Sequence, residues 1–452
     1  MTPDTSADPA DPATSVPVPG RTRRGRLVRV LGLPAVRGHG RFVTGNLIDS
    51  VGSGMLLPLG LLYFTTVRGL TPATVGAAVT AGQLAALPVV FLAGRVMDRR
   101  GPRPLTVVAN VVTAAGFLAF LLAHRPWQIA CAYLLVQSGV NAYYTAQRSL
   151  ITQATPAGEI RAWFAFTGSL RNIGIGAGAA LAAGALALYG TGALTGLLLA
   201  AAPLYLIAAA CFARVPVTAP PPAPPPSAPR AERGDDNNRR YLLLVVCALP
   251  FVLSQSMLAV LIALYATTTL GLAAWAASFL LILNTVLVST LTTPLTAHLA
   301  PAQPRHTIAL GYGLLTAAML AFAAPALPWS GLPTWPSLVL AMVLFSLAEI
   351  FCSPALNELS VTLTPGAARG GKQSLYQLSW ATGNIAAPVL FTTLLAAGGL
   401  VPWAVQGAAC LLALLAVPAL RPVPRGTPAD TDTNADTDTD TDTVRTEGPT
   451  PR

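Results

Sequence analysis

The sequence predicts an all-α integral membrane protein: twelve transmembrane helices arranged as two six-helix bundles. Three observations carry that prediction. Of 452 residues, 53% are apolar and only 10% charged, against about 25% charged in soluble domains. The apolar residues gather into runs of about 20, the length that crosses a ~30 Å hydrocarbon core. A proline-rich stretch divides those runs six and six. Inside lipid only helices or closed barrels satisfy every backbone group, and runs this long and uniformly apolar do not alternate as barrel strands must.

Taken in order, residues 1–41 form a polar, Pro- and Arg-containing tail expected to be disordered and not a signal peptide, because no short apolar region with a cleavage site is present. The first bundle, 42–213, holds spans at Phe42–Thr65, Thr74–Ala93, Leu105–His124, Trp127–Leu150, Ala162–Tyr189 and Leu194–Ala213. Residues 214–241 contain Pro220–Pro226 and are expected to be an extended tether. The second bundle, 242–420, holds spans at Leu242–Thr267, Ala274–Leu299, Ile308–Leu327, Leu338–Asn357, Leu375–Ala397 and Trp403–Leu420, displaced from the first by about 200 residues. The tail 421–452, with its repeated Asp-Thr, is low-complexity and expected to be disordered.

Charge sets the orientation. Of 28 basic residues, Arg68 and Arg125 fall on one side's loops, Arg148 and Arg171 fall inside spans, and the remaining 24 lie on the side of the N-terminus. Basic residues stay on the cytoplasmic face, so both termini are expected there, in a plasma membrane protein. The same placement argues against nucleic acid as a partner, since the arginines flank hydrophobic segments and make no stripe on a soluble domain. The five cysteines are scattered one per apolar run without ligand spacing, so neither a metal nor another cofactor is expected. No Ser/His/Asp grouping, HExxH or phosphate-cradling loop suggests an enzyme.

After the second span comes Gly94-Arg95-Val96-Met97-Asp98-Arg99-Arg100-Gly101-Pro102-Arg103. It resembles the G-x-x-x-D-R-x-G-x-R signature of the major facilitator superfamily, in the loop where that family has it. The resemblance covers about residues 42–420. It implies twelve spans and a gate at this loop, with Asp98 accepting from the N-terminus of the eleventh helix near Gly371–Gln373. Gly94 would allow close helix approach and Gly101 a tight turn. Arg99 and Arg103 would pair with an acid on a neighbouring loop, Glu159 being the one nearby in sequence. The matching second-half segment, Thr296–Arg305, keeps one basic residue, so a weaker gate is expected there. The fifth-span run Gly174–Gly184 is similar to the family's antiporter pattern but has Ala179 for its proline; small residues at a close helix crossing explain it equally well.

Charges inside a span are costly and usually functional. Asp49 lies about seven residues into the first span, roughly 10 Å deep, and Arg171 enters the fifth from the same side to a similar depth, so the two could form a buried pair. Arg148 stands at the end of the fourth span, where its side chain could snorkel to the interface. Glu349 is the sharper case: near the middle of the tenth span, with no basic residue on its own helix. A carboxyl withdrawn from water is held readily as the neutral acid, which suits a proton-exchanging group; a structural role, hydrogen-bonded to a neighbouring helix, is the other reading. Asn141, Tyr143, Tyr144, Gln255, Asn284, Trp380 and Asn384 are the polar and aromatic residues expected to face a central cavity.

The function expected is secondary active transport of a small-molecule solute by a monomer: proton-coupled export of a drug-like or secondary-metabolite solute, by a drug:proton antiporter-like chain. Proton-coupled uptake of a peptide or other nutrient is the alternative, and a non-transporting membrane sensor or scaffold is the reading from another class.

Overall fold

The computed structural model describes residues 33–34, 36–217, 230–273, 275–299, 302–327, 333–364 and 369–420. The expected N-terminal and C-terminal tails, up to residue 32 and from 421, lie outside the described residues, as does the Pro220–Pro226 tract.

Twelve helical rods account for the described chain. We label them α1 (Gly40–Leu62), α2 (Pro72–Arg100, stepped at Ala86), α3 (Pro102–Leu122), α4 (Pro126–Ala154), α5 (Ile160–Tyr189), α6 (Ala193–Ala213), α7 (Arg230–Leu264), α8 (Trp275–His298), α9 (Pro304–Ala323), α10 (Thr334–Thr362), α11 (Arg369–Ala397) and α12 (Val401–Ala416). Nine described stretches are long and apolar enough to span a membrane, Ile160–Ala213 being a double one. The fourth rod falls outside that set because Gln137, Asn141, Gln147 and Arg148 lower its hydropathy. Apolar side chains such as Leu122, Leu188, Ile282, Leu412 and Leu415 stand exposed on the outer faces, as a chain solvated by lipid requires.

The rods run longer than the apolar stretches, chiefly at one end of the bundle. That end carries the Gly94–Arg103 motif and most of the arginines; we call it the basic end. The motif is not a loop: Gly94–Arg100 complete α2, and Gly101, at φ 85°, makes the turn before Pro102 opens α3. Likewise α7 begins at Arg230, inside the expected 214–241 tether, because no proline interrupts the chain between Pro229 and Pro250.

α1 packs on α5 and α6, α3 on α4 and α6, and α2 on α4; in the second half α7 packs on α11 and α12, α9 on α10 and α12, and α8 on α10. The halves meet along α2–α11 and α5–α8, with α4–α11 and α5–α10 beside them. The halves repeat one another in detail. Leu62-Tyr63-Phe64-Thr65-Thr66-Val67-Arg68-Gly69-Leu70 and Leu264-Tyr265-Ala266-Thr267-Thr268-Thr269-Leu270-Gly271-Leu272 each end a helix in a π turn followed by a glycine of positive φ.

Glycine permits the closest crossings. A Cβ on Gly54 or Gly178 would overlap the backbone of α5 or α1, at Ile175 and Val51 respectively. Gly178→Val is therefore expected to destabilise the first bundle by about 1–3 kcal/mol, read as a lower unfolding midpoint of the detergent-purified protein. Gly176→Val, where nothing lies within 4 Å of a new Cβ, should leave that midpoint near wild type.

Candidate functional site

At the basic end, α2 and α11 touch backbone to backbone. A Cβ on Gly94 would overlap Ser374 and Gly370, and one on Gly370 would overlap Gly94 and Asp98. That proximity lets Asp98 Oδ1 accept from the Gly370 N–H at 2.6 Å, in the first turn of α11, while Ser374 Oγ donates to the Val90 carbonyl at 2.7 Å. A carboxylate there offsets the positive end of the helix dipole. The helix starts at Arg369, a few residues before the expected Gly371–Gln373. Among the described residues no ion pair joins Arg103 to an acid; it donates to the Val215 carbonyl at 3.4 Å. Arg99 is exposed at the end of α2, and Glu159 closes a short 3-10 turn ahead of α5.

The ion pair across the interface is one the sequence reading missed. Arg161 of α5 pairs with Glu358 of α10, and its other donors reach the carbonyls of Ala302 (2.8 Å) and Leu299 (3.2 Å) after α8. Ala300 stands where the first half has Asp98, so the second crossing holds by an arginine on backbone carbonyls rather than by a carboxylate on backbone N–H.

Deeper in, Arg148 corrects the expectation of a snorkelling side chain. It is buried, and its guanidinium donates to Asn357 Oδ1 of α10 (3.0 Å), Gln377 Oε1 of α11 (3.2 Å) and the Tyr144 carbonyl (2.9 Å), and lies over the Tyr376 ring. Its polar partners are all neutral. Asn141 Oδ1 accepts from Gln377 at 3.5 Å and from Gln137 at 3.3 Å.

These contacts form the floor of a cavity of about 570 Å³ between the halves. From Arg148, Asn357 and Gln377 its lining climbs α11 through Trp380 to Asn384 and Pro388, which are exposed toward the far end. Of the expected cavity residues, Asn141, Tyr144, Gln255, Trp380 and Asn384 line it, and Tyr143 and Asn284 do not. Tyr143 turns into the first bundle and donates to Asn46 Oδ1 at 3.0 Å, and Asn284 lies behind the wall.

The charged groups near the cavity are arranged unlike the expected buried pair. Arg171 lines the cavity and stacks over the Tyr144 ring at 4.6 Å, and among the described residues no ion pair joins it to Asp49. Asp49 is buried in α1 beside Tyr143, and Glu349 accepts from Asn284 Nδ2 at 3.3 Å and neighbours Gln255. The two carboxyls lie on opposite halves, Asp49 on α1 and Glu349 on α10.

Residues 42–362 match the Major Facilitator Superfamily. The chain belongs to that superfamily. Its members are transporters that move small solutes, and this one is a multi-span membrane protein. The solved FucP of E. coli, in its outward conformation, superposes with a TM-score of 0.68 at 14% identity, over 85% of this chain and 99% of that one, a likeness of fold. The Multidrug resistance protein MdtG of Salmonella arizonae is 29% identical over 158 residues, 33% of this chain and 37% of MdtG. The Multidrug resistance protein MdtH of Cronobacter sakazakii is 27% identical over 108 residues, 24% of this chain and 27% of MdtH. The chain thus spans roughly a third or less of the length of these relatives.

Removing one partner of a largely buried pair costs about 3–5 kcal/mol. Glu358→Gln is therefore expected to weaken closure at the basic end. In a background with the five native cysteines replaced, a cysteine at Ile151, beside the cavity floor, should react faster with a maleimide supplied from the basic side. Unchanged reactivity would mean that Arg161 and Glu358 do not hold this end shut.

Proposed function

We propose that this superfamily member is a proton-coupled secondary transporter that exports an amphipathic small organic solute by alternating access, in a plasma membrane with both termini cytoplasmic. The observation that carries the reading is the central cavity, floored at one end by polar contacts that belong half to each bundle. Such contacts break and re-form as a set when one bundle rocks against the other. With the basic end facing the cytoplasm, the arrangement described is the outward-open one. Export draws support from the partial similarity to MdtG and MdtH, whose names speak of multidrug resistance.

In this reading Gly94, Asp98, Gly101, Arg99, Arg103 and Glu159 belong to the gate, and Arg161 with Glu358 to its second half. Glu349 is the principal proton-exchanging group, with Asp49 and Arg171 coupled to it through their charges. Protonation biases the carrier only through a difference in affinity between its two states, and a carboxyl beside the inter-bundle cavity, on α10, is placed to have one.

One observation favours a second reading, proton-linked uptake. Arg171 lines the cavity with no carboxylate within 4 Å among the described residues; neutralising the buried Asp49 and Glu349 leaves its charge free for a solute, so that proton and solute load together. Reconstituted vesicles with the pH gradient imposed in either direction separate the two senses.

Two variants test the roles. Asp98→Asn keeps the shape of the side chain but removes the charge at the start of α11; insertion should be normal and transport reduced at least tenfold. Glu349→Gln mimics the protonated acid permanently. Solute exchange across proteoliposomes should persist in it while accumulation driven by a pH gradient disappears. Wild-type accumulation in this variant would move the coupling role to Asp49.

A further inference from the structure

The polar groups around the cavity are unevenly used. Four of its amide acceptors are occupied: Asn357 Oδ1 and Gln377 Oε1 by Arg148, Asn384 Oδ1 by Ser256 Oγ at 2.6 Å, and Asn141 Oδ1 by two amide donors. Those two donors settle which way the Asn141 amide lies, and its Nδ2, on a side chain 1% exposed, then has no acceptor among the described residues. Arg171 is exposed in the wall, its guanidinium laid over Tyr144 with no carboxylate within 4 Å among the described residues. Neither Asp49 nor Glu349 lines the cavity.

What remains open to a solute is therefore a set of donors and a cation. A buried donor left without an acceptor is costly, and an incoming anion would satisfy several at once with charge-assisted bonds, the stronger kind. A cationic head would meet two guanidiniums, Arg148 and Arg171, with no carboxylate in the cavity lining to answer it. Around the donors the wall is apolar and aromatic, with Val140, Phe164, Val260 and the Trp380 ring. We propose that the central cavity binds organic anions: a carboxylate, sulfonate or phosphate head held by Arg171 and Asn141, with an apolar or aromatic body against the cavity wall. This rests on the transporter reading for the identity of the site, but not on the direction of transport or its coupling.

The test uses three probes with one ring system and different heads: naphthalene-2-sulfonate, 2-naphthol and 2-naphthyl-trimethylammonium, titrated onto the purified full-length protein. The sulfonate should bind at least about tenfold tighter than either other probe. Arg171→Gln should abolish that preference without lowering the unfolding midpoint, and Arg171→Lys should keep part of it. Equal binding of the three, binding of none, or preference for the ammonium probe would overturn the proposal; so would a sulfonate preference that survives Arg171→Gln. Flux of the same probes through proteoliposomes separates the two readings. Sulfonate binding without flux of any probe would sink the transporter reading and leave the anion site standing. Flux of the ammonium probe with the sulfonate ignored would do the opposite.

Discussion

A guanidinium taken out of water must find acceptors for five N–H groups or cost several kcal/mol. Arg148, 7% exposed, meets that demand with groups the other half supplies: Asn357 on α10, Gln377 on α11 and the face of Tyr376. The requirement ties the two bundles together at one depth, and the rest of the interface is arranged around it. Toward the basic end come the glycine crossing of α2 on α11, Asp98 on the α11 N-terminus, and Arg161 on Glu358 and the α8 carbonyls. Away from it the bundles separate and the cavity begins. Because its polar partners are neutral, Arg148 is released more easily than from a carboxylate. A carrier that must open at this end in every cycle requires such a contact.

The parts legible in the sequence are those set by local rules. Span length, span number and the turn at Gly101 follow from hydropathy, lipid thickness and backbone sterics, and the structure departs from the expected spans mainly by continuing helices past the lipid-soluble stretch. The partner of Asp98 was legible only through the resemblance of Gly94–Arg103 to the superfamily's signature, which implied the eleventh helix. The partners of Arg148 and Arg161 were not. They lie about 200 residues away in the chain, on helices whose facing depends on how the two bundles dock, and nothing near Asn357 or Glu358 announces it. The displaced pairing of Arg171 has the same origin: Asp49 and Arg171 reach similar depths on adjacent rods, yet depth does not specify azimuth. The Leu62–Leu70 and Leu264–Leu272 segments repeat at a displacement of 202 residues, the displacement that also sets Thr296–Arg305 against Gly94–Arg103; in sequence it aligns Ala300 with Asp98, so the second crossing needs a different chemistry.

The charges in and around the cavity link the nature of the solute to the sense of coupling. A cationic solute competes with protons for carboxylates, so loading one expels the other and the two move in opposite directions. An anion at Arg171 competes with the carboxylates of Asp49 and Glu349 for the same guanidinium. It binds best when those groups carry protons, so the loaded carrier takes both together. Coupling between two ligands is reciprocal: whatever factor protonation adds to anion affinity, the anion adds to proton affinity. Arg171, stacked on Tyr144 rather than on a carboxylate, is available to such an anion. In the proposed reading the head-group charge of the solute and the sense of proton coupling constrain one another: an anion favours movement with protons, a cation movement against them.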